Sequence, residues 1–408
     1  MIMQIAREKR NINEKPQRTN ARGSGGAGSE EMNMNTKNGV MNNSYLLVDT
    51  VKLRENVRTI LRELPAGTKL IPVIKDDAYG MGMLGVARTL CAFPEIGCFA
   101  VAHISEGAAL RREGIRQDIL VMAGVLPFQL PAAVQYDLTL SIGQLGIVPQ
   151  LADICKTQSK TVSVQVKIET GLHRIGVEPG EELSALIGEL KAAEEWVKVT
   201  GAFSHFAWPS NAEVCEAQYK KLLEGAAQLK AAGIAVPMCH ISGSESAELF
   251  PQYAMDAVRI GRRLYMDHPT KPTGTVQEVA SWRGYITSVK QRHAGDSLAY
   301  FGKFRLDKDA VVATVGVGYG DGLNEGLVAC HAPVLVHGKK CPLLACCMDQ
   351  CFVDVTGVDA APCDEVTFFG YDSEGDLLSS QMLANLVGDN EGCGLTEALA
   401  SRVARLYE

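Results

Sequence analysis

The sequence of 408 residues lacks any apolar stretch of about 18 residues or more, which excludes an ordinary membrane-spanning helix. Its first residues have neither the apolar core nor the small-residue cleavage site of a secretory signal, so a cytoplasmic location is expected. An excess of positive charge is also missing, since 40 Lys and Arg stand against 47 Asp and Glu and the net charge is −7. Such a chain has no general attraction for nucleic acid or anionic membranes. Any anionic ligand must therefore be held by local charge.

A disulfide framework is not indicated either, because 12 cysteines in 408 residues are dilute and several of them lie inside apolar runs. We expect free thiols in a reducing compartment. The densest group is Cys341, Cys346, Cys347 and Cys351, which contains no C-x-x-C pair. Thiols placed along strands are therefore expected there, in preference to a metal site.

Composition divides the chain into parts. Residues 1–42 are rich in Asn, Gly, Ser, Arg and Lys and predict a disordered tail, because they hold too little apolar surface to fold. From residue 43 to residue 275, short runs rich in Val, Ile and Leu alternate with helical patterns. Eight such runs predict a (β/α)8 TIM-like barrel, whereas the alternative, a doubly wound sheet, would use fewer strands. The runs are 69–75, 98–103, 118–124, 138–142, 162–169, 197–205, 236–242 and 255–261.

The pattern changes after residue 266. The segment 267–274 (DHPTKPTG) is a linker by its Pro and Gly content. Beyond it, alternating runs separated by Gly, Asp and Lys turns predict a second, mainly β domain over residues 276–408, which a helix over 394–407 closes. The predicted fold is thus α/β plus β, an N-terminal barrel followed by a C-terminal mainly β domain.

Polar side chains cluster where the predicted barrel strands end, which is where barrel enzymes place their active sites. The set contains lysines, arginines, a histidine and a Ser-Gly-Ser loop, and it suits an anionic cofactor that carries a carbonyl group. A lysine buried after an apolar strand is costly to keep charged, so its amine is available to attack a carbonyl. The alternative is that such a lysine simply extends into solvent. The residues are Lys75, Lys167, Glu169, Arg174, His205, 242–244 and Arg259.

The segment IPVIKDDAYGMG (71–82) resembles the lysine signature of the alanine racemases, pyridoxal-phosphate enzymes built on a barrel. Further segments are similar to other motifs of that family and follow in the family's order. They are VKIETGLHRIGV (166–177), FSHFA (203–207), AVRIGRRLY (257–265), LAYFGKF (298–304), VGVGYGDGL (315–323), CCMDQCFVDV (346–355) and ASRVARLY (400–407). Together they extend over nearly the whole chain apart from the tail, so the chain is identified as a member of that family.

The resemblance implies a role for residues in each motif. Lys75 would carry pyridoxal 5'-phosphate as a Schiff base, and Arg259 would face its pyridine nitrogen and keep it unprotonated. Arg174 and the backbone at Met348 would bind the substrate carboxylate. Lys167 is implied as a site of carbamylation that orients Arg174. The implied phosphate contacts are Tyr79, Ser244, Gly261 and Arg262, and the implied pocket walls are Tyr319 and Ser401.

Racemisation needs two proton carriers, one on each face of the substrate's α-carbon. The resemblance assigns them to Lys75 and Tyr300, and it implies that the partner subunit of a homodimer supplies Tyr300 to a composite site. An ordinary phenol has a pKa near 10, too high for a base at neutral pH. His205, linked to Arg259, is expected to lower the pKa of Tyr300. On spacing alone, Tyr300 and Tyr319 would be ordinary strand-surface aromatics.

The implied function is interconversion of L- and D-alanine, with D-alanine supplied for peptidoglycan. Ser401 stands where many family members have a tyrosine that lines the pocket, which leaves room for a larger substrate, L-serine first. The alternatives are therefore a serine or broad-specificity racemase, a pyridoxal-phosphate decarboxylase on the same fold, a non-enzymatic cofactor carrier and an inactive paralogue. The other departures from the family pattern are Asp76, Met81, Glu169, His173, Trp208, Pro209 and Gly243.

Overall fold

The computed structural model describes residues 42–267, 273–302, 304–389 and 393–408. The predicted tail therefore lies outside the described residues except for Asn42, and so does most of the predicted linker, 267–274. In the described ranges, no helix combines the length and the apolar character that crossing a membrane requires.

Parallel strands of the described residues form a ring, which strand β1 (Ser44–Val48) precedes. The ring strands are β2 (Lys69–Pro72), β3 (Cys98–Val101), β4 (Asp118–Val121), β5 (Thr139–Ile142), β6 (Val162–Lys167), β7 (Val197–Phe203), β8 (Cys239–His240) and β9 (Ala257–Ile260). Strands β3 to β8 pair in sequence order, β2 pairs with β9, and a bridge from Val73 to Ala100 joins β2 to β3. Between the last two strands, the Arg259 amide donates to the Ser242 carbonyl at 3.0 Å. Each strand falls inside one predicted run, which confirms the predicted barrel.

Amphipathic helices cover the outside of the ring. The first, Thr50–Glu63, begins where Asp49 accepts two backbone hydrogen bonds of 2.9 Å from its first turn. Leu53, Val57 and Ile60 lie about one helical turn apart, and all three are buried. Burial of each such side chain contributes about 1.5–3 kcal/mol. The other barrel helices are Met83–Leu90, Ile104–Arg112, Leu130–Gln135, Ile147–Gln158, Glu181–Ala192, Ala212–Ala231 and Ser244–Leu249.

The second domain consists mainly of antiparallel strands, as predicted. Its strands are β10 (Ala280–Arg292), β11 (Ser297–Leu298), β12 (Phe304–Arg305), β13 (Ala310–Val315), β14 (Pro333–Val336), β15 (Lys339–Cys346), β16 (Cys351–Asp354), β17 (Glu365–Tyr371), β18 (Leu377–Leu378) and β19 (Ala404–Tyr407). The long strand β10 pairs with β1, β13 and β17, so it ties the start of the chain to this domain. The helices are Glu325–Ala329, Ser380–Leu386 and Gly394–Glu397.

The predicted helix over 394–407 is wrong. The helix Gly394–Glu397 is a single turn, and Ala404–Tyr407 forms β19, which pairs in parallel with β1. The edge of β1 offers backbone hydrogen bonds to the last strand, and a local helical pattern cannot reveal a partner 359 positions away in sequence. Because β1 also pairs with β10, the first residues of the predicted barrel domain, 43–275, belong by strand pairing to the sheet of the second domain.

The cysteines are free thiols, and the group of four lies at neighbouring strands. Cys341 and Cys346 lie on β15, Cys351 lies on β16, and Cys347 directly follows β15. Within the part of the chain that the structure describes, no group of three or more His, Cys, Asp or Glu side chains is arranged to hold a metal ion. These thiols therefore contribute to the packing of the sheet.

Candidate active site

The polar residues predicted at the strand ends lie at one rim of the ring. Lys167 is the last residue of β6, and Lys75 follows β2. His205 follows β7 by two residues, and Arg259 lies within β9. Arg259 lies 2.9 Å from Nδ1 of His205, and Lys167 and Arg259 both pack on the Phe203 ring, at 4.6 Å and 5.3 Å from its centroid. The charges of Lys75 and Arg174 also act on His205. The strand ends thus gather the predicted cationic set into one site.

Arg259 is the centre of a buried hydrogen-bond chain. Its guanidinium group donates to Nδ1 of His240 at 2.5 Å and to Nδ1 of His205 at 2.9 Å, and it also bonds two backbone carbonyls. Nε2 of His240 lies 2.8 Å from Oε1 of Gln165, and the His240 ring stacks on Phe203 with centroids 5.0 Å apart. These contacts fix the guanidinium group in place at the rim of the barrel.

The same contacts fix where the two histidines carry their protons. A guanidinium group can only donate, so both rings accept at Nδ1 and are protonated on Nε2. His240 uses that proton for Gln165, whereas His205 keeps Nε2–H as its remaining donor. Burial lowers the pKa of both imidazoles well below the ordinary value, and the Arg259 charge acts in the same direction. Burial and the Arg174 charge lower the pKa of Arg259 to about 9, so the chain joins a cation to two neutral rings at pH 7.

Lys167 is a buried amine among cations. Its side chain packs on Phe203, with Nζ 4.6 Å from the ring centroid. Burial, then the charges of Arg259 and Arg174, lower the pKa of Lys167 well below the ordinary value. Glu169, the nearby carboxylate, accepts a backbone hydrogen bond of 2.5 Å. Lys167 therefore has a strong tendency to be a neutral, nucleophilic amine.

Lys75 stands at the start of a left-handed turn. The four residues after it, 76–79, all have positive φ angles between 50° and 57°. A non-glycine residue in this conformation costs about 1–2 kcal/mol. The Glu106 carboxylate accepts a hydrogen bond of 2.7 Å from the Asp76 amide and so supports the turn. The turn brings the Tyr79 ring beside Lys75, whose Nζ lies 5.8 Å from the ring centroid.

The C-terminal strand β19 holds the end of this turn. Arg405 donates to the Gly80 carbonyl at 3.0 Å, and the Tyr407 hydroxyl contacts the carbonyls of Met81 and Gly82 at 3.0 Å each. A Cβ atom on Gly82 would lie 1.9 Å from Oη of Tyr407, so only glycine admits this approach. Met81, one of the departures from the family pattern, is completely buried and serves packing.

Residues predicted to hold a phosphate converge beside the turn. A Cβ atom on Gly261 would lie 2.1 Å from Oη of Tyr79, so the hydroxyl reaches this backbone because no side chain intervenes. The Gly261 amide donates to Oγ of Ser244 at 3.3 Å, and the Arg262 charge acts on Tyr79. Burial raises the pKa of Tyr79, which therefore stays a hydroxyl donor. We call Tyr79, Ser244, Gly261 and Arg262 the phosphate cradle.

The remaining predicted residues lie on the second domain and face solvent in a single chain. Tyr300 is 68% exposed, Met348 53% and Tyr319 44%, and Ser401 is exposed as well. Among the described residues, no hydrogen bond, ion pair or ring contact joins Tyr300, Tyr319 or Met348 to the rim residues of the barrel. The chain thus presents a barrel site and a separate set of predicted site residues.

Arg402 holds the turn that contains Met348. It pairs with Asp321 at 2.6 Å and with Asp349 at 2.7 Å, and it donates to the Met348 carbonyl at 3.4 Å. The Gly320 amide donates to the same carbonyl at 2.8 Å, which places the turn carrying Tyr319 against the one carrying Met348. Ser401, the neighbour of Arg402 in the chain, therefore lies close to both turns.

Sequence reasoning missed His240 and Gln165. Both lie in predicted strands, Gln165 in β6 and His240 in β8, and both are buried. A polar side chain inside an otherwise apolar barrel strand was the available signal, because a buried polar group requires a partner. The partner, Arg259, is on a different strand, so the pairing itself needed the fold.

Comparisons with known proteins show which family the chain belongs to. Residues 48–269 match the family described as the alanine racemase N-terminal domain, and residues 279–407 match the alanine racemase C-terminal domain. Alanine racemase 1 of Oceanobacillus iheyensis is 30% identical over 353 residues, which are 83% of this chain and 93% of that protein. The alanine racemase of Geobacter sulfurreducens is 31% identical over 373 residues, 88% of this chain and 96% of that protein.

Solved structures show the same likeness. The alanine racemase of Clostridium difficile 630 has a TM-score of 0.84 at 26% identity, covering 90% of this chain and 96% of that one. The alanine racemase of Bacillus anthracis with bound L-Ala-P has a TM-score of 0.83 at 25% identity, with the same coverage of 90% and 96%. Motifs, fold and both domain matches thus coincide, and the chain belongs to the alanine racemase family.

Proposed function

We propose that the chain is a pyridoxal-phosphate-dependent alanine racemase with two proton carriers, Lys75 and Tyr300. The observation that carries this proposal is the buried chain that links His240 and Arg259 to His205 beside Lys75. It provides a fixed cation and a neutral imidazole donor within a cationic site, and such groups bind and polarise an anionic cofactor and substrate.

The residues present fit pyridoxal phosphate. The phosphate cradle offers a hydroxyl donor, a cation and a backbone that a Cβ atom at Gly261 would obstruct. Lys75 would hold the carbonyl end of the cofactor. Bound there, the cofactor supplies an electron-accepting ring that makes the α-proton of an amino acid acidic. Arg259 would donate to the ring nitrogen and leave it without a proton, because a guanidinium group has no acceptor and keeps its charge. This arrangement favours brief removal and return of a single proton.

Arg174 would bind the substrate carboxylate, since its planar fork matches two carboxylate oxygens. Lys167 would orient it as a carbamate. The neutral amine attacks carbon dioxide, a bond forms between Nζ and carbon, and one proton leaves. The resulting anion would then relieve the repulsion between Arg174 and Arg259. Carbon-13 NMR of protein equilibrated with labelled bicarbonate should show this carbamate, and a spectrum without its signal would contradict it.

The two proton carriers would approach opposite faces of the α-carbon. Lys75 Nζ holds a proton on one face, and Oη of Tyr300 from a second copy serves the other. The Nε2–H of a neutral His205 can donate to the phenolate oxygen. This hydrogen bond stabilises the charged form of the tyrosine and lets it act as a base. The exposure of Tyr300, Tyr319 and Met348 in a single chain supports a homodimer with composite sites. From the family we also infer a cytoplasmic supply of D-alanine for peptidoglycan.

Gly261→Ala is expected to weaken cofactor binding by about 10-fold to 100-fold. The added Cβ atom would lie 2.1 Å from Oη of Tyr79 and displace it from the phosphate cradle. Loss of one hydrogen bond to a charged group costs about 1.5–3 kcal/mol, which is this change in affinity. Titration of the apoprotein with pyridoxal phosphate, followed by absorbance, measures it. Gly188→Ala is the matched control, because Gly188 lies in a helix with open space around it and should bind as the native protein does.

Ser401 favours a second candidate function, a racemase that also accepts L-serine. Arg402, the next residue in the chain, holds the Met348 turn, so a tyrosine at position 401 would bring a large ring near that turn and the serine leaves this space open. Ser401→Tyr is expected to raise the ratio of kcat/KM for alanine over serine by roughly 10-fold, the usual effect of one small group in a pocket. Ser401→Ala keeps the open space and removes the hydroxyl group, so its kcat/KM ratio distinguishes the effect of space from that of the hydroxyl group. An unchanged ratio in Ser401→Tyr, or no turnover of serine by the native protein, would contradict a wider range.

The proposed function is tested by the circular dichroism of L-alanine and L-serine incubated with the protein and pyridoxal phosphate. Racemisation makes either signal decay to zero while the amino acid concentration stays constant. Release of carbon dioxide would indicate the rival decarboxylase. A signal that never decays, from protein that holds the cofactor, would instead support an inactive paralogue or a carrier.

A further inference from the structure

The turn between β11 and β12 displays two aromatic rings in solvent. Phe301 is 95% exposed, the highest value among the large apolar side chains of the described residues, and its neighbour Tyr300 is 68% exposed. The ring centroids lie 6.2 Å apart with a tilt of 49° between the planes. The two rings therefore form one projecting unit at the tip of the hairpin.

The backbone of this tip is strained on both sides of Tyr300. Ala299, Phe301 and Gly302 have φ angles of 59°, 61° and 64°, in the left-handed region. Glycine adopts this conformation freely, whereas a bulky side chain rarely does, and strain of this kind concentrates at functional sites. Within the single chain, the phenylalanine at position 301 therefore has an unfavourable backbone conformation and buries almost no apolar surface.

The hairpin beneath the tip is well anchored. Its stem packs into a small apolar cluster that includes Leu298, Leu306 and Leu344, with Phe304 against it. The described residues on both sides of the exposed rings are therefore held by apolar packing. A packing role for the Phe301 ring therefore requires a contact with another molecule.

The barrel rim carries apolar side chains of matching character. Trp208 is 59% exposed and lies three residues after His205. Phe128 is 77% and Leu126 50% exposed, and both lie in the loop that follows β4, at the same end of the barrel. Both surfaces are apolar and exposed in the single chain, so the rings of one copy can bury these groups beside the site of a second copy.

We propose that Phe301 is a positioning residue, which docks on the apolar barrel rim of a second copy and thereby sets Oη of Tyr300 in that copy's active site. The inference rests on the proposed function, in which a second copy supplies Tyr300. Burial of the Phe301 ring in the partner fixes the depth to which the tip enters that copy's site. A displacement of about 1 Å at a proton carrier is enough to slow a reaction on the order of 100-fold.

The test compares Phe301→Gly, which suits the backbone, with Phe301→Tyr, which keeps the ring. Racemisation of alanine and exchange of each enantiomer's α-proton in D2O are measured at protein concentrations where sedimentation shows dimers only. For Phe301→Gly, kcat for racemisation should fall on the order of 10-fold to 100-fold with KM little changed. Exchange of the enantiomer served by Lys75 should persist, the thermal midpoint should not fall, and Phe301→Tyr should restore kcat.

Other outcomes overturn the inference. An unchanged kcat in Phe301→Gly would show that the ring does not position Tyr300. An equal loss of racemisation and of both exchange reactions would indicate general damage to the site. Sedimentation of Phe301→Gly as a monomer at concentrations where the native protein is a dimer would reduce Phe301 to a dimer contact. If the native protein itself does not racemise alanine, the proposed function fails first, and that result is distinct from the other three.

Discussion

Tyr300→Phe is expected to lower kcat for alanine racemisation by about 10²–10⁴-fold, the usual contribution of a positioned proton carrier. The substitution keeps the ring and removes only Oη, so packing of the tip is preserved. Lys75 remains able to remove and return a proton on its own face. One enantiomer should therefore exchange its α-proton with D2O without inversion, and the other should not exchange. Proton NMR of L-alanine and D-alanine in D2O measures both reactions separately.

Tyr136→Phe provides the matched control for the loss of a hydroxyl group. Its hydroxyl accepts a hydrogen bond of 3.1 Å from Arg112 and lies outside the site described above. This variant should racemise alanine as the native protein does. Full activity in Tyr300→Phe would remove Tyr300 from the mechanism, and loss of exchange for both enantiomers would show that the tyrosine is needed for binding as well.

The barrel could be predicted from the sequence because each of its strands lies in a local apolar run. The rule that barrel sites lie at the carboxyl ends of strands then predicts that Lys75, Lys167, His205 and Arg259 lie together. Their proximity depends only on the closure of parallel strands into a ring.

Other features were not local and could not be predicted. The left-handed turn at 76–79 is stabilised by Glu106 from the helix Ile104–Arg112 and by Arg405 and Tyr407 from strand β19. Local propensity does not predict four such residues in a row, because the left-handed conformation raises the free energy of each non-glycine residue and is ordinarily adopted by single residues. The pairing of β19 with β1 similarly depends on strand edges at opposite ends of the sequence.

Lys75→Ala is expected to lower racemisation by more than about 10⁴-fold, since it removes both a proton carrier and the covalent hold on the cofactor. Dialysis should remove pyridoxal phosphate from this variant and leave it on the native protein, which provides a readout independent of activity. Lys75 is only half-buried, so the space left by its side chain can be reached from solvent. A small primary amine such as methylamine should then enter and restore part of the rate.

If Lys75 carries the proton, rescue by amines should depend on pH and on the size of the amine. The restored rate should increase with pH, because only the unprotonated amine accepts a proton, and it should fall as bulkier amines no longer fit the vacated space. Tyr300→Phe, whose lysine is intact, should not respond to methylamine at all. A response of both variants would mean that the amine acts in solution. Racemisation by Lys75→Ala without any amine would assign the first proton carrier to another side chain. Lys167, a buried amine with a lowered pKa at the same rim, would then be the candidate.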